Sequence, residues 1–157
     1  MVEVTERDLQ PGDIDALLGN LRKCDQLEVE ASAGKHRVAL VLRLAERSSL
    51  WARTIFVNDK LTCIFGVSSI DFVQGVGSPW MLATPVFDKH PRAVIERSAG
   101  YIPLIQELFP HLINYVDARN VKAIKWLKWL GFDMHPAVPY GFYNMPFHKF
   151  EMKASHV

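Results

Sequence analysis

Apolar and polar positions repeat at two periods along the chain, and the switches between them mark its elements. Val2 to Thr5 alternates and predicts a short strand. QPGD (Gln10 to Asp13) predicts a turn, with Asp13 as the N-cap of a helix carrying Ile14, Leu17, Leu18 and Leu21 at helical spacing. Leu27 to Ala31 continues in a second helix. SAGK (Ser32 to Lys35) interrupts, and Val38, Ala39, Val41, Leu42 and Ala45 mark a third. Trp51–Val57 and Leu61–Ile70 are rich in β-branched and aromatic residues and predict a hairpin. Asn58 and Asp59, between them, tolerate positive φ.

QGVGSP (Gln74 to Pro79) predicts the next turn, with Gly75 and Gly77 as turn glycines, and Trp80–Thr84 a short strand. Asp88 and Pro91 open a helix that Gly100 and Pro103 split and Pro110 ends. Leu112–Val116 is a strand and Asn120–Leu130 a helix closed by Gly131. Two strands follow, around Phe132–Val138 and Phe147–Lys153. This order of elements predicts one mixed α/β (α+β) domain over residues 1–157, with no internal repeat and no dividing linker.

Composition narrows the function classes. Hydrophobic residues are 49% of the 157 and charged residues 22%, which describes a globular chain. A net charge of +1 argues against a nucleic-acid-coating protein, since such domains carry a large basic excess. Cys24 and Cys63 have no metal-ligand spacing, so they read as reduced, mostly buried thiols, and no metal is expected. The acidic, polar start MVEVTERDLQ is not that of a signal peptide. The longest apolar run, Val38–Leu42, is far shorter than the roughly 20 residues of a membrane span.

The stretch NVKAIKWLKWLGF (Asn120 to Phe132) has two faces. Ala123, Ile124, Leu127 and Leu130 share the core face, with Trp126 at its border. Lys122, Lys125 and Lys128 lie opposite, with Trp129 projecting among them. Lysine stems shielding Trp129 account for this pattern. So does a basic, aromatic patch for a partner, built on Lys122, Lys125 and Trp129.

The frame around this helix resembles the GNAT superfamily of acetyl-CoA-dependent N-acyltransferases. A strand ending Asn114-Tyr115-Val116 leads to Asn120, an Ala123-Ile124 pair and a closing Gly131-Phe132. Asp59 in the upstream turn and Gly66 in the following strand agree with that family. The resemblance implies a mixed, mainly antiparallel sheet flanked by helices. It also implies acetyl-CoA or coenzyme A as cofactor, with the backbone of Met81, Leu82 and Ala83 against pantetheine and Asn120 near the cofactor. WLKWLGF (Trp126 to Phe132), SPWML (Ser78 to Leu82) and PFHKFEM (Pro146 to Met152) look like the GNAT-like proteins of short-tailed phages and prophages. Those are grouped with internal virion or morphogenesis proteins. This implies phage virion or assembly proteins as partners, and a place in the host cytoplasm or with the virion.

The chain departs from the family pattern twice. The family's pyrophosphate loop is glycine-rich, whereas TPVFDKHPRA (Thr84 to Ala93) has no glycine and two prolines that lack an N–H. Lys89, His90 and Arg92 supply positive charge there instead. The position of the family's tyrosine acid is Leu127, which has no proton to donate. The expectation is a virion-morphogenesis protein with a degenerate acetyl-CoA site. The alternatives are an active N-acyltransferase holding phosphate with Lys89 and Arg92, and a prophage regulatory or anti-defence binding module.

Other candidates read as structural. His135, His148, Tyr140 and Tyr143 fall near the C-terminal strands, where a histidine base has a groove to border. Cys63 sits between Leu61, Thr62, Ile64 and Phe65, which favours a buried thiol over a nucleophile. Asp117 and Arg119 bracket a strand end and are placed to pair or to face water. Asp13, Asp15 and Asp25 read as cap and surface groups, and no residue is assigned a catalytic role.

Overall fold

A computed structural model describes residues 2–154. Strand β1 is Val4–Asp8, and helices α1 (Asp13–Leu18), α2 (Lys23–Ala33) and α3 (Val38–Ser48) follow. Strands β2 (Ser49–Val57), β3 (Lys60–Asp71) and β4 (Val76–Ala83) lead through a 3-10 turn, Pro85–Lys89, to α4 (Pro91–Ala99) and α5 (Ile102–Leu108). Strand β5 (His111–Asp117), α6 (Val121–Leu130), β6 (Asp133–Tyr140) and β7 (Met145–Lys153) complete the chain.

The strands form one 7-stranded sheet in the order β1-β2-β3-β4-β5-β7-β6. Every neighbouring pair is antiparallel except β4–β5. The expected mixed, mainly antiparallel sheet flanked by helices is what the chain forms. Asn58 and Asp59 turn the β2–β3 hairpin with φ of 48° and 64°, as their side-chain chemistry predicts. Gly131 ends α6 in the left-handed region, φ 103°, donating to Leu127 O and Lys128 O.

Helices cover both faces. Ile14, Leu17, Val29 and Leu42 of α1–α3 bury Ile64 and Leu82 on one face. On the other, Val94 and Ile95 of α4 pack on Ile55, Val57, Cys63 and Phe65. Beside them Ile105 and Phe109 cover Leu112, Val116 and Phe150. The predicted core face of α6, Ala123, Ile124, Leu127 and Leu130, packs on that second cluster, and Trp126 on the first.

Two expectations are corrected. Asp13 is not an N-cap: Gly12 holds that position with φ 92°, and Asp13 is the first helical residue. Its carboxylate accepts from Arg7 (2.7 and 3.0 Å), the Gln10 amide (2.9 Å) and the Thr54 hydroxyl (2.8 Å), so it ties α1 to the sheet. The turn after β3 is also shorter than QGVGSP. Gly75 turns, with φ 70°, but Gly77 and Pro79 already lie within β4. A Cβ on Gly77 would stand 2.5 Å from Phe109 Cγ, so its glycine is a packing requirement and not a turn requirement.

Candidate functional site

The two parallel strands of the sheet pair over only Val76–His111 and Gly77–Leu112. They continue to Ala83 and Asp117 without further ladder bonds. Pro79 is the cause on β4, because it has no N–H to carry the ladder onward. Asn114 is the counterpart on β5. Its side chain donates from Nδ2 to Pro79 O (2.7 Å) and accepts from the Tyr115 amide at Oδ1 (2.8 Å). A side chain thus stands between the strands where a peptide bond would otherwise pair.

Beyond Asn114 the strands present backbone groups to an opening. The Thr84 amide donates to Thr62 O (2.9 Å), so by alternation Leu82 also turns its peptide groups toward β3. Met81 and Ala83 turn theirs toward β5. Ala83 is satisfied within the chain: its C=O accepts from the Arg22 amide (2.7 Å) and its N–H donates to Asp25 Oδ2 (2.8 Å). On the far wall the Asp117 amide donates to Glu28 Oε1 (2.7 Å). Of Met81, Leu82 and Ala83, only Met81 keeps its peptide groups facing the opening without a partner among the described residues.

One face of α2, set by the spacing of Arg22, Asp25 and Glu28, therefore spans the opening. The other end of α2 is anchored too, since the Phe142 amide of the β6–β7 turn donates to Ser32 O (2.8 Å). Gly141 lies so close that a Cβ there would come within 2.7 Å of Ser32. On this same face of the sheet Tyr115 stacks on Tyr140, with centroids 4.0 Å apart and rings 10° from parallel.

The electrostatics of this face are uneven. Asp25, expected at the surface, is 3% exposed and pairs with Arg22 (3.0 Å), whose guanidinium also meets Asp88 (3.1 Å) and lies over the Phe87 ring. Burial pushes the Asp25 carboxyl up, against the pull of Arg22 and the Ala83 amide. Burial works against the Arg22 charge, but Asp25 more than compensates and raises its pKa. Glu28 has no basic side chain bonded to it. Burial first, then the carboxylates of Asp25 and Asp117, push it up to about 7, while the Asp117 amide pulls the other way. Asp117 itself is buried and pairs with Arg119 (2.7 Å), which holds its carboxyl below the usual range despite burial. Glu28 and Arg22 carried no motif in the sequence, and Asn114 figured only as part of the strand ending Asn114-Tyr115-Val116. The shared spacing of Arg22, Asp25 and Glu28 puts them on one helix face, but charged residues at that spacing are ordinary on a solvated helix.

The other expected residues are dispersed. Lys89 and Arg92 are exposed around the start of α4, and Arg92 lies 3.6 Å from Glu96. The α4 N-terminus has no side-chain cap, so the Arg92 and Ala93 amides lack helical acceptors, but Asp88 places a carboxylate in the same loop. Asn120 caps α6, accepting from the Ala123 amide at 3.3 Å. Lys122 and Lys125 are exposed, and Trp129 is 52% exposed, edge-on to Trp126. His135 bonds Glu151 (2.8 Å), which also bonds His111 (2.6 Å), so these side chains brace β5, β7 and β6. His148 Nδ1 meets His135 O (2.7 Å). Tyr143 is exposed in the β6–β7 turn. Cys63 is fully buried and its thiol is pushed up by burial, which suits core and not nucleophile. Cys24 is half-buried. Among the described residues no cluster of metal-ligating side chains occurs, and no helix is long and apolar enough to cross a membrane.

No family model matches the chain, and no curated protein matches it. Solved structures do. The spermidine N-acetyltransferase of Vibrio cholerae, in complex with CoA and spermine, superposes with a TM-score of 0.69 at 14% identity, over 96% of this chain and 95% of that one. A point mutant of the same spermidine N-acetyltransferase gives 0.70 at 12% identity, over 96% and 93%. An acetyltransferase of the GNAT family from Streptococcus pneumoniae gives 0.66 at 12% identity, over 98% and 100%. With the parted β4–β5 pair at its centre, the chain has the GNAT acetyltransferase fold.

Proposed function

We propose that the chain is an N-acyltransferase that takes an acyl thioester, acetyl-CoA, into the opening between β4 and β5. The observation that carries this reading is Met81. Its peptide groups face the opening without a partner among the described residues, so its N–H is available to a thioester carbonyl. The residues present fit the cofactor at two places. Met81 would hold the acyl end, and Lys89, Arg92 and the free first-turn amides of α4 would hold the phosphates. Acetyl-CoA supplies an activated acyl carbonyl, and the protein's task is to orient it and to deprotonate an amine. Spermidine is a suitable first acceptor, because the neighbouring structures include spermidine N-acetyltransferases. Thiol release from acetyl-CoA in the presence of spermidine tests the reading. Replacing Lys89 and Arg92 together by alanine raises the KM for acetyl-CoA about tenfold or more if these charges hold phosphate, each tenfold being about 1.4 kcal/mol. An unchanged KM counts against it.

A second reading has its own support. Ala83, next along the β4 edge, is already occupied by α2, the loop from Thr84 to Ala93 has no glycine, and Leu127 replaces the family's acid. These favour a GNAT-fold protein that works by protein contacts in phage virion morphogenesis, with Lys122, Lys125 and Trp129 as its contact face. Co-purification with capsid or core components from phage particles, lost on replacing Trp129, supports that reading. Absence from particles opposes it.

A further inference from the structure

The opening has two sides. In the proposed reaction acetyl-CoA reaches it from the α4 side, where Lys89 and Arg92 lie. On the α2 side Glu28 meets the β5 wall. One of its oxygens is held by the Asp117 amide at 2.7 Å. The other, Oε2, makes no hydrogen bond among the described residues, yet it is not among the side-chain atoms sealed from solvent. A carboxylate with one oxygen fixed and the other free where two strands part has the geometry of a proton acceptor.

We propose that Glu28 is the general base of this site and that the acceptor is a cationic aliphatic amine, which approaches over the α2 side past the Tyr115–Tyr140 stack. This rests on the N-acyltransferase reading above. The ammonium gives a proton to Glu28 Oε2. The freed nitrogen lone pair forms the N–C bond to the acyl carbon, the C–S bond breaks, the second proton on that nitrogen passes through water to the leaving thiolate, and Glu28 then returns its own proton to solvent. Aromatic rings beside the approach favour a cation.

The charged groups around Glu28 fit the role. Asp25 on α2 and Asp117 on β5 both raise it, while Arg22 lowers it. Arg22 is engaged by Asp25 and Asp88, and Arg119 by Asp117, so each cation has a nearer carboxylate. Glu28 is thus left to titrate close to neutrality, where a base is most effective.

The test is Glu28→Gln. Glutamine still accepts from the Asp117 amide, so the fold is kept while the base is lost. Acetyl-CoA binding is read by thermal shift, and turnover by thiol release with spermidine and with a lysine peptide. The expected result is an equal acetyl-CoA shift in both proteins and a fall in kcat of about 100-fold or more for the variant. In the wild type, kcat/KM for the amine rises through an apparent pKa near that of Glu28, and this limb disappears in the variant. A separate arm follows the Glu28 carboxyl by 13C NMR. Titration near neutrality, with a coupled shift of the Asp117 amide, is expected. Turnover retained within about threefold overturns the base and leaves the enzyme reading intact, since removal of a true base costs far more. Failure of both proteins to bind acetyl-CoA overturns the enzyme reading and the base with it. Binding without turnover of either amine overturns the assignment of the acceptor and of Glu28, as does a carboxyl that titrates in the ordinary glutamate range.

Discussion

The two ends of the β4–β5 pair make an instructive contrast. At Gly77 and Leu112 the strands are bonded and sealed by apolar packing, with the Phe109 ring filling the space a side chain on Gly77 would take. At Ala83 and Asp117 the same strands are parted, and the Asp25 and Glu28 side chains accept from their N–H groups. One end is held by volume and the other by charge. A sheet can therefore be rigid at one end of a strand pair while offering unpaired peptide groups at the other. Pro79 and Asn114 are the residues that divide the two regimes.

The largest expected effect is at the charged end. Asp25→Ala leaves the Ala83 amide unpaired and Arg22 with only the exposed Asp88, and should cost about 3–5 kcal/mol in chemical denaturation, the range for breaking a buried pair. A loss below about 1 kcal/mol would mean that Asp25 does not hold α2 to β4, since exposed pairs contribute no more than that. At the packed end, Gly77→Ala should cost about 1–3 kcal/mol through overpacking against Phe109. A neutral result there would show that the Phe109 ring moves freely, and the contrast would fail.

Glu28 also makes the stability of the fold depend on pH. Glu28 has its folded pKa raised, to about 7, above an ordinary value of 4.5. The fold therefore favours the protonated form. That contribution is complete below the ordinary value and is lost as pH rises through about 7. Wild type should lose about 1–3 kcal/mol relative to Glu28→Gln between mildly acidic and mildly alkaline pH. Parallel stability curves for the two would place Glu28 in water. Smallest, Asn120→Ala should cost about 1 kcal/mol through loss of the α6 cap. Acetyl-CoA affinity should be unchanged, because the Asn120 oxygen is engaged by the Ala123 amide. A selective loss of affinity would support Asn120 as a cofactor contact.

The order of elements was legible in the sequence because it is locally encoded. Asn58 and Asp59 set their turn, Pro91 and Pro110 bound the helical stretch, and Asn120 and Gly131 cap α6. The β4 boundary was misplaced for a physical reason. Gly77 and Pro79 are breakers by local propensity, but inside β4 one accommodates Phe109 and the other ends a ladder. The site was the least legible part. Asp25 reads as a surface group and Glu28 carries no assignment, since nothing in α2 signals that two strands part beneath it. Their burial is a property of the β4–β5 pair, far away in sequence. Met81, Leu82 and Ala83 were expected to act together, yet strand alternation separates Leu82 from its neighbours and α2 occupies Ala83.

The most direct test of the central claim is thermal unfolding with and without acetyl-CoA. Ligand at about 100 times its dissociation constant adds roughly 2.7 kcal/mol. For a domain of this size each kcal/mol raises the midpoint by about 2–4 °C. An opening that admits the thioester predicts an upward shift of about 5–10 °C, reduced when Lys89 and Arg92 are both replaced. An unchanged midpoint at millimolar acetyl-CoA would contradict the account and show that α2 closes the opening to the cofactor.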